Sequence, residues 1–471
     1  MAEQPRRKIA IVGAGAGGVM LASALARPGP VLFDVVLVDT RPGRGAAYGP
    51  SDEALLLNTR AGAMSLDACS PTGFVDWLNT FRARPEGWTS ADFAPRRFYG
   101  DYLEARLASL RSRTPGLGST RCRQGRIKAL AHEGDGWSLL LASGERTQAD
   151  AVVLATGPGR PRPLLFNGRS DIEAHVQDDP WDDAALKAVR GGGEVLIAGQ
   201  GPSSADVATS IWRIDPEIKV TAVSRHGLAP RVHPEDGSGE KLFAGGYPSS
   251  ARELQTRLLN ASGLLEDDPE IRPSRLEDLR RHGAGIWAAL SSEERHMFVR
   301  HFRPYWEAER HRLPPEQGEA LRAAAKRGRL ELVRGRLAEA KPLKDGSGAR
   351  VALITHKGPR ALAVRRIVNC MGLESDPYRS RNPALLDLLA QGLISADELG
   401  LGIRVSPDLA AIGADGRTTP GLFALGALTQ GLHFETTSAP EIGVQARALA
   451  ETLSAQPPAI AASRLLAANA H

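Results

Sequence analysis

The sequence predicts an α/β chain with two Rossmann-like dinucleotide-binding domains, the second inserted in the first, and a helical insertion. Two stretches carry the prediction. KIAIVGAGAGGVMLASALA runs from residue 8, and EVLIAGQGPSSADVA covers residues 194–208; each reads as a buried strand, a glycine-rich turn and a helix. Length agrees, because 471 residues exceed one ordinary core and call for two or three domains.

In the first unit Ile9, Ile11 and Val12 form the strand, and Gly13, Gly15 and Gly18 satisfy G-x-G-x-x-G. The first glycine permits the tight turn, the second lets backbone approach a pyrophosphate, and the third lets the helix pack on the strand. Phosphates then lie at the helix N-terminus, where free N–H groups and the dipole favour negative charge. DVVLVDT follows as the second strand and brings Asp39 to the place where a carboxylate accepts from ribose hydroxyls.

In the second unit, VLIAGQGPSSADVATSI, Gly199 and Gly201 hold the first two places, and Ser204 stands where the third glycine would be. The next strand, IKVTAVSR, ends at Ser224 and Arg225. Asp39 lies 26 residues beyond Gly13, and Arg225 lies 26 beyond Gly199, so one structural place carries an acid in one unit and a base in the other. A carboxylate suits a free 2′-hydroxyl, whereas a guanidinium grips a 2′-phosphate. The reading is a resident FAD in the first socket and a visiting NADPH in the second, with hydride passing between them.

Composition narrows the class. Hydrophobic residues at 42% and charged residues at 24% suit a soluble globular protein. No apolar run reaches the length of a membrane span. A net charge of +5 from scattered arginines, without a basic stretch interleaved with aromatics, gives no support to nucleic-acid binding and suits a small anionic partner. Cys69, Cys122 and Cys370 stand apart with no CxxC pair, so a disulfide framework, a zinc site and a redox dithiol are not expected, and a cytoplasmic setting is. The N-terminal RRKIAIVGAGAGG also looks like an export signal, but a strand, phosphate loop and helix is the preferred reading.

The expected layout is an FAD domain over 1–165 and 360–460, an NADPH domain over 166–359 with a helical insertion at 241–340, and a tail at 461–471. ADAVVLATGPG ends a buried strand at Gly157, and RRIVNCMG repeats that pattern; hairpins GWSLLLASGERTQAD and RVALITHKGPRALAV precede them. GLFALGAL is one more buried strand, ending near Gly426. Ser438 and Glu441 form an S-x-x-E capping box with Pro440 in the first turn of the helix that follows.

Several stretches resemble a bacterial FAD/NAD(P)-binding family. They are AAYGPSDEALLLNTRAGAMS, FAPRRFYGDYLEARL, RHFRPYWEAERHRLPPE and FALGALTQGLHFETTSAPEIGVQA. The two sockets also look like those of flavin-dependent monooxygenases, including N-hydroxylating and amino-acid N-oxygenating flavoproteins. There are departures. Ala427 follows Gly426 where many flavoproteins have Gly-Asp. The Baeyer–Villiger fingerprint has only a mis-spaced echo in Phe166, Gly168, His175 and Trp181.

The resemblance implies a site in which the cofactor carries the hard step and side chains fix geometry and exclude water. It places Asn58 near the flavin ring, as a hydrogen-bonding partner or a turn cap, while Met64 reads as packing, and Arg97 and Tyr99 read as flavin contacts or, preferably, as the closure of a helix start. Arg303, Trp306, Glu307 and Arg310 share a helix face by spacing; Arg303 and Glu307 make an intrahelical pair. Arg303, Trp306, Arg310 and His311 are the candidates for an anionic or amino-acid substrate, with Asn58, Arg303 and Arg310 as catalytic candidates. Glu435 and Thr436 are expected on the flavin side, before a helix whose dipole would stabilise reduced flavin. Three functions stay open: an FAD-dependent, NADPH-consuming monooxygenase that takes molecular oxygen and oxygenates the nitrogen of an amino acid or amine; an FAD/NADPH reductase or dehydrogenase without oxygen insertion; and a non-catalytic nucleotide-binding protein.

Overall fold

The computed structural model describes residues 6–49, 52–67, 70–112, 118–182, 189, 192–234, 241–243, 245–264, 271–276 and 278–455. The chain forms two compact units. One comprises Met1–Ser51, Thr59–Gly159 and Glu374–His471; the other comprises Asp52–Asn58 and Arg160–Leu373.

The first unit opens with β1 (Arg6–Val12), α1 (Ala16–Leu25) and β2 (Leu32–Asp39), followed by α2 (Gly73–Phe81) and α3 (Arg96–Arg111). Then come β3 (Ser119–Gln124), β4 (Ile127–Glu133), β5 (Gly136–Leu141), β6 (Arg146–Ala149) and β7 (Ala151–Leu154). β1 pairs in parallel with both β2 and β7, and Ile9, Ala10, Ile11 and Val12 are all buried, so both of its faces are covered. That explains a near-continuous apolar run in place of alternation.

The second unit begins with β8 (Val176–Gln177), β9 (Glu194–Ala198), α4 (Pro202–Ile214) and β10 (Lys219–Ser224). A helical stretch follows: α5 (Ala251–Ser262), α6 (Leu279–Ala289), α7 (Ser292–Met297), α8 (Arg303–Arg310) and α9 (Pro315–Lys326). Ser250 and Ser291 cap α5 and α7 through hydroxyls that accept the amides of Glu253 and Glu294. Between α7 and α8 the backbone passes through a π turn, Phe298–Phe302. Pro304 sits in the first turn of α8, where a missing N–H costs no hydrogen bond. The sheet is completed by β11 (Leu330–Pro342), β12 (Ala349–Thr355), β13 (Gly358–Val364) and β14 (Arg366–Asn369), in the order β13-β12-β11-β10-β9-β14-β8.

The remainder of the first unit adds α10 (Pro383–Ala390), β15 (Ala410–Ile412), β16 (Thr418–Ala424) and α11 (Ala439–Ala455). Its main sheet runs β15-β16-β7-β1-β2-β3, and β4-β5-β6 forms a separate antiparallel meander. Trp137 of β5 and Leu422 of β16 share one core with Leu385 and Leu388 of α10.

Three boundaries differ from the sequence layout, each for a pairing reason. The helical insertion, expected to reach 340, ends with α9 at Lys326, because β11 joins the parallel part of the second sheet and pairs with β10 from Leu330 onward. The second unit extends to Leu373, beyond 359, because β14 pairs in parallel with β9 and β8. Residues 52–58 also belong to the second unit. Asp52 pairs with Arg213 of α4 and accepts from the Ser210 hydroxyl at 3.0 Å. The tail at 461–471 lies outside the described residues.

Candidate functional site: two dinucleotide sockets

In the first unit the chain leaves β1 through Gly13, whose φ of +111° is open to glycine. A Cβ at Gly13 would stand 2.2 Å from the carbonyl oxygen of Ala155, just past β7. Gly18 is confined for the same reason, its Cβ position being 2.1 Å from the Gly13 oxygen. Gly15 is the N-cap of α1 and lies against Gly45, so the chain after β2 crosses the loop with only glycines at the crossing. The N-terminus of α1 has no capping side chain and no acid in its first turn. Its free amides therefore remain available to an anion.

Asp39 stands half-buried at the end of β2. One carboxylate oxygen accepts the Ala14 amide at 2.8 Å and the other the Arg41 amide at 2.9 Å. The oxygen held by Arg41 also takes the Thr40 hydroxyl at 3.5 Å, whereas the one held by Ala14 keeps a lone-pair direction, so the carboxylate is aimed by backbone and can still take a ribose hydroxyl. Beyond β7, Gly157 has φ +70° and open space where a Cβ would be.

At the end of β16 the place of the missing acid is filled from elsewhere. The Gly426 amide donates to Gln445 Oε1 of α11 at 3.0 Å, and the Thr436 hydroxyl donates to the same oxygen at 2.8 Å. Gln445 Nε2 donates to the Thr429 hydroxyl, which donates to the Gly426 carbonyl. Thr436 is thereby turned inward, and Glu435 beside it is also buried. The Ser438 hydroxyl bonds the Glu441 carboxylate, the two residues of the expected capping box.

The second socket repeats the geometry. Gly199 has φ +121°, and a Cβ there would be 2.3 Å from the Cys370 carbonyl oxygen after β14. Gly201 caps α4, with Pro202 at the first helical position and nothing within 4 Å of a would-be Cβ. Ser204 is buried under the helix start. Gln200, buried between them, donates through Nε2 to the carbonyls of Ala222 and Val333 and accepts the Ser224 hydroxyl at 2.8 Å. Ser224 in turn accepts the Gly227 amide, so it shapes the turn after β10. Arg225 is exposed at that turn.

Sequence reading missed a second guanidinium here. Arg334 on β11 lies directly across from Ser224 in the parallel register. Among the described residues neither Arg225 nor Arg334 makes an ion pair. His226 is next to both; burial first, and then the fields of Arg225 and Arg334, hold its imidazole below its ordinary range. Its ring also meets Tyr305 of α8 at 5.5 Å.

The other candidates are placed as follows. Arg303 Nε donates to Glu307 Oε1 at 2.7 Å, the intrahelical pair read from spacing. Trp306 is 2 % exposed and packs edge-on against Phe298, which gives it a packing role in place of the expected substrate contact. Arg310 and His311 are half-buried at the end of α8. The Asn58 carbonyl accepts from His233 Nε2 at 3.0 Å, within the second unit, while its half-buried carboxamide makes no hydrogen bond to the described residues. Among the described residues no cluster of His, Cys, Asp or Glu is arranged for a metal ion, and no helix is long and apolar enough to cross a membrane.

Two glycine-cradled turns, each closing on the carbonyl just past a neighbouring strand, repeat one geometry in the two units. Residues 10–159 match the family model described as FAD-NAD(P)-binding, and this segment is an FAD/NAD(P)-binding domain. No curated protein sequence matches the chain. Among solved structures it resembles the Kutzneria sp. 744 ornithine N-hydroxylase with reduced FAD, NADP+ and L-ornithine, at TM-score 0.63 and 17% identity, covering 95% of this chain and 99% of that one. It also resembles L-lysine 6-monooxygenase from Pseudomonas syringae, at 0.62 and 16%, covering 96% and 100%. Lactococcus lactis thioredoxin reductase follows at 0.51 and 15%, covering 95% and 99%. At these identities the likeness is one of fold.

Proposed function

We propose that this chain is an FAD-dependent, NADPH-consuming monooxygenase that oxygenates the nitrogen of a small amine or amino acid. The observation that carries it is the opposite charge at one structural place in two sockets, Asp39 after β2 and Arg225 after β10. The first socket fits FAD: the Gly13–Gly15 backbone and the start of α1 take the pyrophosphate, and Asp39, aimed by Ala14 and Arg41, takes the ribose. The second fits NADPH: the empty volume over Gly201 admits a pyrophosphate, and Arg225 meets a 2′-phosphate.

When bound, the flavin supplies hydride acceptance and oxygen activation; the protein supplies orientation and exclusion of water. Glu435 and Thr436 support the flavin from beside α11, and Gly157 and Gly426 keep backbone close to it. Arg303, Arg310 and His311 are the groups for an anionic or amino-acid substrate. The fold neighbours that act on ornithine and lysine support this substrate class. The setting is a reducing cytoplasm, in which Cys69, Cys122 and Cys370 stay thiols.

A dithiol reductase is disfavoured. No CxxC occurs, Cys122 and Cys370 lie in different units, and burial pushes the Cys370 thiol far up, away from reactivity. The deciding experiment follows NADPH oxidation in air by the purified yellow protein across a panel of amines and amino acids. Hydroxylamine formation matching NADPH consumption is expected for at least one. Release of hydrogen peroxide in full stoichiometry with every amine, or a protein that takes up no flavin, overturns the reading.

A further inference from the structure

The turn after β10 holds more positive charge than one arginine supplies. Ser224 and Arg334 are register partners on adjacent parallel strands, so Arg225, one residue on, emerges beside Arg334. The strands end differently at this level. β10 stops at Ser224, while β11 continues outward to pair with β12. Gly227, in the left-handed region at φ +68°, brings the departing chain against the Arg334 stem; a Cβ there would be 2.7 Å from the Arg334 Cβ. The β12–β13 turn fixes the Arg334 backbone, its carbonyl accepting the His356 amide at 3.2 Å. The His226 ring lies against Tyr305.

Like charges on neighbouring strands repel, and surfaces commonly answer them with acids. Here Arg225 and Arg334 are left without a carboxylate among the described residues, and both act on His226. Two arginines and a histidine brought to the end of the second strand of a dinucleotide fold supply the groups that a dianion needs.

We propose that Arg334, from β11, together with Arg225 and His226, clasps the 2′-phosphate of the nicotinamide dinucleotide, so that two adjacent strands set the preference for NADPH over NADH. The inference rests on the NADPH reading of the second socket and adds a specificity-determining residue to it. The pair gives a fork from each strand.

The test uses the purified full-length protein with its flavin and measures binding of 2′,5′-ADP and 5′-AMP by calorimetry, independent of turnover. Wild type should bind 2′,5′-ADP at least tenfold more tightly than 5′-AMP. Arg334→Gln and Arg225→Gln should each weaken 2′,5′-ADP about tenfold or more while leaving 5′-AMP within twofold, and Arg334→Lys should recover part of the loss. If Arg334→Gln holds 2′,5′-ADP within twofold of wild type while Arg225→Gln loses it, Arg334 is not in the clasp and the NADPH reading stands. If wild type binds the two fragments equally, the NADPH reading itself fails, and this inference with it.

Discussion

Arg231 Nε donates to Glu309 Oε1 at 2.7 Å, with the two side chains 4 % and 0 % exposed. The second carboxylate oxygen accepts the Ser274 hydroxyl at 2.6 Å, and Arg312 Nε donates to the Glu309 backbone carbonyl. A buried pair of this kind adds little net stability, but removing one partner strands the other charge. It fixes α8 to the strand-like segment at Val232, and α8 carries Arg303, Tyr305 and Arg310. Glu309→Ala should cost about 3–5 kcal/mol in urea unfolding. A paired Arg231→Met, Glu309→Leu variant should recover most of that loss.

The ribose contact is separable from folding. Asp39→Ala removes an acceptor from two backbone amides at a half-buried site, a loss on the order of 1–3 kcal/mol. The expected outcome is a protein that folds but releases flavin, with FAD affinity lowered about 10- to 100-fold in fluorescence titration. Asp39→Asn, which keeps an acceptor toward one amide, should fall between.

Acid acts on the second socket through His226. Its imidazole is depressed by burial and by Arg225 and Arg334, so the native residue stays neutral as pH falls. The unfolded chain takes up that proton near pH 6.5. The stability His226 contributes is therefore whole above about pH 6.5 and is lost as pH falls from there toward its native value. His226→Gln should flatten this limb of the stability curve. A dianion set against the two arginines reverses their field at the ring, so binding of 2′,5′-ADP takes up protons. Calorimetry in buffers of different ionisation heat should show less uptake in His226→Gln than in wild type, which separates the ring from the phosphate's own titration.

The two sockets were legible in the sequence because their chemistry is local. Gly13, Gly15 and Gly18, or Gly199 and Gly201, must follow a strand within a few residues, and Asp39 and Arg225 sit one strand further on. Arg334 lies more than a hundred residues after Arg225 and reaches it only through the β10–β11 pairing, a relationship with no short-range trace. The end of α9 was obscured because Leu330–Pro342 mixes Glu and Arg with apolar residues, as a partly exposed strand does. Ala427 showed that an acid was missing; that Gln445 from α11 covers the Gly426 amide required the packing of a helix on a turn. Trp306 read as a ligand contact because helical spacing says which residues share a face and not which side that face turns.

The two glycines of the second socket should fail differently. Gly199 has a positive φ and a Cβ position 2.3 Å from backbone, so Gly199→Ala must move β14 away from β9; it should unfold the second unit or cost several kcal/mol. Gly201 has an ordinary negative φ, and its Cβ would meet nothing within 4 Å. Gly201→Ala should therefore leave the melting temperature nearly unchanged, within about 0.5 kcal/mol of stability. The added methyl instead occupies the space through which a pyrophosphate reaches the amides of α4, so NADPH affinity should fall at least tenfold. Flavin content, set in the first unit, should not change. Binding titrations and thermal melts on the two variants read both effects directly; a Gly201→Ala protein that binds NADPH as wild type does would place the pyrophosphate elsewhere.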